Sequence, residues 1–242
     1  MLVNQEQGRG LSLKPRVIFF DLGQTLITGA GQSPRRMVAS RFDLSERQTR
    51  RVGRLIMTHP AVEPTSLARA LKEILVDHDL RDLQKGLAEI WAGQSRSVKE
   101  IDGATAVLRS LKSSGIELGL ISNTWHPLFE GFCENCREIA EMVDYSVLSY
   151  RLGIKKPSPD LFQQAITQTG AAPGSCWMVG DSYELDMEPA LTVGMHVVWV
   201  LSAPEREKTL LAQVLRGDKA RPDLSITHLE EILVFFSSKG LL

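Results

Sequence analysis

Five short apolar runs punctuate the chain, at residues 16–20, 117–122, 145–149, 176–180 and 196–201. Each is rich in β-branched or aromatic residues and bounded by turn residues, the pattern of strands buried on both faces. Stretches of helical period lie between the later runs. Residues 104–115 set Val107, Leu108 and Leu111 on one face and stop at Gly115, a residue type that ends helices in the left-handed region. Residues 158–170 open with Ser158 as N-cap and Pro159 in the first turn, and stop at Gly170. Strand and helix in alternation predict an α/β fold with a doubly wound parallel sheet.

The alternation breaks once. Between Leu26 and Glu100 the apolar positions keep helical spacing, as in residues 67–79 and 82–94, and no strand pattern occurs. Roughly seventy residues are far too many for a plain loop, so a helical insertion hangs off the first strand. The organisation predicted is a polar N-terminal extension at 1–15, an α/β core at 16–28 and 101–242, and a helical segment at 29–100.

Composition narrows the function classes. Of 242 residues 43% are hydrophobic, enough to bury a core, and 28 basic residues face 29 acidic ones. That balance excludes the basic excess of a nucleic-acid binder. Arg47, Arg50, Arg51 and Arg54 form a local basic stretch, which reads as a solvated helix face. Three cysteines, an odd and sparse set, fit a reducing compartment and a cytoplasmic protein. Cys133 and Cys136 form a C-x-x-C pair with no second pair to complete a zinc site, and read as ordinary thiols. No run approaches the ~20 apolar residues of a membrane span, and the N-terminus lacks the apolar core of a secretory signal.

The chemistry lies where the strands end, because open α/β sheets bind ligands at the carboxyl ends of their strands. The first strand delivers Asp21 and the second Ser122-Asn123. Lys155 and Lys156 follow the third, and Asp181 and Asp186 follow the fourth. Taken singly these are caps, turns or loop residues. Taken together they are a phosphoryl-transfer set. An aspartate can attack phosphorus, and magnesium, which prefers oxygen ligands, would bridge Asp21, Asp181 or Asp186, and a phosphate. A lysine and a serine hydroxyl would hold the remaining phosphoryl oxygens.

At "FFDLGQTL", "LISN", "KKPSPDLF" and "VGDSYELD" the chain resembles the haloacid dehalogenase superfamily of hydrolases, and "EPALTVGM" continues the last motif as that family does. The resemblance spans residues 16–235. It implies a Rossmann-like core with a first-type helical cap that closes over a small phosphorylated substrate. Asp21 is then the nucleophile, Ser122, Asn123 and Lys156 bind the phosphoryl group, and Asp181 and Asp186 serve magnesium with Asp21. Lys156 takes precedence over Lys155 because family members usually read Lys-Pro-x-Pro.

One position departs from the pattern. Phosphatases of the family read D-x-D-G-T, the second aspartate acting as general acid and base; here that position is Gly23, followed by Gln24. The backbone carbonyl that the family offers to magnesium is retained at Gly23. The proton shuttle is lost, which is worth ~10²–10⁴-fold in rate. Gln24, His126 and Glu184 are the residues considered for that task, with His126 read as a loop residue. Three functions fit: first, a magnesium-dependent phosphatase of reduced activity; second, a catalytically impaired protein that binds a phosphorylated ligand or a partner; third, a 2-haloacid dehalogenase, whose halide needs no proton but whose family members lack the magnesium motif.

Overall fold

The computed structural model describes residues 14–29 and 31–242. All but Lys14 and Pro15 of the N-terminal extension lies outside the described residues. The strands are β1 Val17–Phe20, β2 Ile27–Thr28, β3 Lys99–Glu100, β4 Glu117–Ser122, β5 Tyr145–Leu148, β6 Cys176–Gly180, β7 His196–Val200 and β8 Leu224–Ile226. The first helices are α1 Pro34–Arg41, α2 Glu46–Thr58, α3 Pro64–Lys72 and α4 Leu80–Arg96. After them come α5 Ala104–Ser113, α6 His126–Asn135, α7 Arg137–Met142, α8 Ser149–Leu152 and α9 Pro159–Thr169. The last three are α10 Glu188–Thr192, α11 Pro204–Arg216 and α12 Glu231–Ser238.

Six strands form one parallel sheet in the order β5-β4-β1-β6-β7-β8. Chain order therefore reverses direction at β1, and such a switch point opens a crevice at the strand ends. Successive residues of β1 serve opposite faces. Ile18 and Phe20 pack with Leu118, Val107 and Phe236, while Val17 and Phe19 pack with Phe162, Ile166 and Met178. Both faces being covered, the strands read as continuous apolar runs.

All five runs expected as strands are strands. Val107, Leu108 and Leu111 are buried, and Gly115 and Gly170 take φ of +80° and +61° as helix terminators. Ser158 departs from expectation. It precedes α9, but its hydroxyl donates to the Asp160 carboxylate at 3.3 Å instead of capping the helix.

Three strands escaped the sequence reading. β8 is an edge strand of three residues with only Ile226 buried. β2 and β3 pair antiparallel, Ile27 with Glu100 and Thr28 with Lys99, and tie together the two ends of the helical segment. The statement that no strand lies between Leu26 and Glu100 is corrected by this ribbon. Two-residue strands carry no alternation for a pattern to show.

Helices α1–α4 bury Val52, Leu71, Leu83, Leu87 and Trp91 in a cluster of their own. The core enters it through Trp125, whose ring meets Trp91 edge-on at 5.6 Å. Helix α4 also packs on α6, and α2 on α8. The helical segment thus stands over the carboxyl ends of β4 and β5. Among the described residues no helix is long and apolar enough to cross a membrane.

Candidate active site

Asp21 follows β1 directly, and its backbone N–H donates to Val179 O of the neighbouring strand at 2.9 Å. The strand register thereby fixes where the carboxylate emerges. Lys156 arrives from the loop after α8, its backbone clamped by Asn123. The Asn123 side chain accepts from Lys156 N at 2.7 Å and donates to Lys156 O at 3.1 Å. The ammonium then reaches both Asp21 Oδ1 at 2.6 Å and Asp186 Oδ1 at 2.5 Å. Lys156 and Asp186 are 2% and 1% exposed, Asp21 9%.

Asp186 comes to this point through a single π-helical turn, Tyr183–Met187, in place of an ordinary α-turn. Its Oδ2 accepts from Ser182 N at 3.1 Å. Gly180 makes room: a Cβ there would lie 2.4 Å from Asp186 Oδ2. The glycine ending β6 is therefore required by the carboxylate beside it. Asp181 lies on the same rim, its carbonyl held by Trp199 Nε1 at 3.2 Å. Ser122 is buried at the end of β4, and its hydroxyl has no hydrogen-bond partner among the described residues.

Electrostatics here are those of a largely buried charge cluster. Burial, then the Asp21 and Asp186 charges, pushes Asp181 up to about 7. Burial likewise pushes Asp186 up to about 6, against the pull of Lys156. Burial alone would lower Lys156, but the Asp186 and Asp21 carboxylates outweigh it and hold the ammonium above its usual value. Three carboxylates thus share one cation, an excess of negative charge in hard oxygen donors. Hard oxygen donors of this kind suit magnesium. Among the described residues no three His, Cys, Asp or Glu side chains already converge as a metal cage; the lysine ties Asp21 to Asp186.

The structure resolves what stands at the departure from the family pattern. Gly23 does not take positive φ; Gln24 does, at 61°. That left-handed position is where family members carry glycine, the residue that tolerates it without strain. A Cβ on Gly23 would find only Asp21 Oδ2, at 3.9 Å. The Gly23 side of Asp21 is open, and Oδ2 accepts no hydrogen bond among the described residues.

None of the residues considered as substitute proton donors hydrogen-bonds to Asp21 among the described residues. His126 opens α6 and is not a loop residue, because Pro127 at the first helical turn continues it into the helix. Its ring stacks on Trp91 at 5.6 Å and meets Tyr150 edge-on, and burial lowers its pKa. Gln24 and Glu184 are exposed. Cys133 and Cys136 are free thiols whose pKa values burial raises. Sequence reasoning missed the two joints of this site, the Asn123 clamp and the π-turn. Neither has a local sequence signal, since each is a contact between separate strand ends or a turn of unusual period.

The chain is similar to known proteins in sequence and in fold. The chain is 25% identical over 197 residues to a glyceraldehyde 3-phosphate phosphatase of Pyrococcus abyssi, covering 76% of this chain and 80% of that protein. It is 26% identical over 211 residues to the mouse N-acylneuraminate-9-phosphatase, covering 79% and 84%. Its fold is similar to that of a 2-haloacid dehalogenase from Pseudomonas syringae, with a TM-score of 0.63 at 18% identity over 93% of this chain and 99% of that one. At such identity the likeness is one of fold alone. The family model for haloacid dehalogenase-like hydrolases matches residues 60–200, a stretch that includes Ser122, Lys156, Asp181 and Asp186 and leaves Asp21 and Gly23 outside. With more than half its length matched and the parallel sheet of the family in place, this chain belongs to the haloacid dehalogenase-like hydrolases.

Proposed function

We propose that the chain is a magnesium-dependent phosphatase of a small phosphate ester, working through an aspartyl-phosphate on Asp21. The observation that carries this reading is the division of labour between the two Asp21 oxygens. Lys156 holds Oδ1 at 2.6 Å, while Oδ2 faces the open side at Gly23. A nucleophile needs one lone pair positioned and one free. Oδ2 attacks phosphorus, the ester C–O–P bond breaks at phosphorus, and the alkoxide leaves. Water then attacks the acyl-phosphate, releasing phosphate and restoring the carboxylate.

Lys156 aims the carboxylate through its hydrogen bond to Oδ1, and Ser122 offers its hydroxyl to a phosphoryl oxygen. Asp21, Asp181, Asp186 and the Gly23 carbonyl would hold magnesium, which when bound offsets the charge of the phosphoryl oxygens. The helical segment at 34–96 serves as the cap. The curated relatives that are phosphatases support the reaction class. With Gly23 in place of the usual aspartate, neither the leaving alkoxide nor the attacking water receives a proton partner from that position. Good leaving groups are therefore preferred.

Hydrolysis of p-nitrophenyl phosphate with magnesium and with excess chelator tests the reading. Turnover is expected only with the metal, and none in Asp21→Asn, whose amide keeps the shape but cannot attack. Hydrolysis that survives in a folded Asp21→Asn protein, or in chelator, would sink it.

A further inference from the structure

Beside the rim lies a cleft of about 430 Å³, lined among others by Arg35, Arg50, Arg54, Asn123 and Lys155. Four of these are cations, brought from α1, α2 and the loop after α8, and no acidic residue joins them in the lining. Arg50 shares an exposed ion pair with Glu46 one helical turn away, at 3.4 Å. The cationic groups of Arg35, Arg54 and Lys155 make no ion pair or hydrogen bond among the described residues. The basic stretch is a solvated face as the sequence reads, Arg47, Arg50, Arg51 and Arg54 all being exposed, and two of its members, Arg50 and Arg54, also line the cleft.

Packing positions the stem of Arg35, while the arginines of the cleft stay exposed. The Arg35 stem lies on Gly53, where a Cβ would come within 3.0 Å of Arg35 Cβ and 3.2 Å of its Cδ. Helix α2 lies in turn against α8, three residues before Lys155. The cleft adjoins the reaction centre through Asn123 and Lys155. Asn123 follows Ser122 and clamps Lys156, the residue after Lys155 that holds Asp21.

Like charges facing one another across a cleft repel, and an anion between them removes that repulsion. A guanidinium is a planar fork matched to carboxylate and phosphate oxygens. A neutral polyol would leave those forks unmatched. We propose that this cleft receives a second anionic group, carboxylate or phosphate, at the non-reacting end of the substrate. The substrate class is then a small phosphate monoester with an anionic tail. This rests on the phosphatase reading of Asp21 and extends it to the other end of the molecule.

The test uses the whole protein with magnesium and three non-hydrolysable probes: propylphosphonate, 3-phosphonopropionate and propane-1,3-bisphosphonate, titrated calorimetrically. The two probes with an anionic tail are expected to bind about tenfold tighter than propylphosphonate, the sum of two or three screened ion pairs. Their ratio separates a carboxylate site from a phosphate site. In Arg35→Gln/Arg54→Gln the preference for the anionic tail should fall to about twofold or less. The same preference should shrink in wild type as salt is raised, an arm that needs no variant. Equal binding of all three probes by wild type, or a preference indifferent to both salt and the double variant, overturns the inference. Hydrolysis of p-nitrophenyl phosphate is measured in parallel. Turnover of that ester without preference for the tail defeats only this proposal, whereas no turnover with magnesium defeats the phosphatase reading and this proposal with it.

Discussion

Lys156 is buried between Asp21 and Asp186, at 2.6 and 2.5 Å, whereas Lys155, one residue earlier, is half-buried in the lining of the arginine cleft without an ion-pair partner among the described residues. The two ammonium groups are chemically identical and do different work because water reaches one and not the other. On the rim, interactions are close and unscreened, so removing one member leaves the others exposed to a full penalty. In the cleft, solvent screens each cation, and each contributes little alone. The rim is suited to holding reacting atoms still, and the cleft to drawing in and sorting ligands.

The comparison breaks most visibly at Lys156. Lys156→Met would leave Asp21 and Asp186 buried with no cation between them. The expected cost is about 3–5 kcal/mol in urea unfolding, as for other buried pairs that lose one partner. A loss near zero would show the rim to be hydrated and the contrast with Lys155 false.

Gly23 is an open point beside Asp21, and filling it sharpens the picture. Gly23→Asp meets no steric obstacle, since the added Cβ would touch only Asp21 Oδ2 at 3.9 Å and the left-handed residue is Gln24. Turnover of unactivated alkyl phosphates should rise, by up to ~10²–10⁴-fold, the range of general acid–base catalysis. The gain on p-nitrophenyl phosphate should be smaller, because that leaving group needs little protonation. A well-folded variant with no gain on any ester would mean that another group already moves the proton.

Asp181 separates stability from function on the same rim. Its carboxylate, pushed up to about 7 by burial and by two neighbouring carboxylates, is strained whenever it is charged without a metal. At pH 8 in chelator, Asp181→Asn should raise the Tm by roughly 2–4 °C, the size of a change of about 1 kcal/mol in a domain of this length. The same variant should lose most of the Tm increase that magnesium gives the wild type. A lower Tm in chelator would assign Asp181 a structural role.

The smallest effect belongs to the neighbour with which the comparison began. Lys155→Met should change unfolding stability by no more than about ±0.5 kcal/mol, as surface substitutions usually do. A larger loss would show that the cleft, like the rim, is held together by its charges.

Much of this protein is decided by the sequence acting locally. The runs at Val17–Phe20, Glu117–Ser122 and Cys176–Gly180 are apolar because both faces of a parallel sheet are covered, and such runs announce themselves without any partner in view. Once they are strands of one sheet, the residues that end them must share a rim, so Asp21, Ser122, Asp181 and Lys156 were legible as one set. The spacing of Gly115 and Gly170 marked helix ends for the same local reason, a backbone angle that other residues resist.

The motif resemblance favoured Lys156 over Lys155, but only the tertiary structure decided that its ammonium is buried against Asp21, 135 residues away in the chain. It decided too that Asn123 clamps that lysine and that a π-turn carries Asp186 inward. The arginine cleft was the least legible feature. Exposed cations obey no hydrophobic period, and Arg35, Arg54 and Lys155 face one space only because α2 packs on α8 and Gly53 lets α1 lie close. Burial writes a pattern into the sequence because misplacing an apolar residue costs free energy wherever it occurs. Convergence of solvated charges costs little until a ligand arrives, and so it leaves no pattern to read.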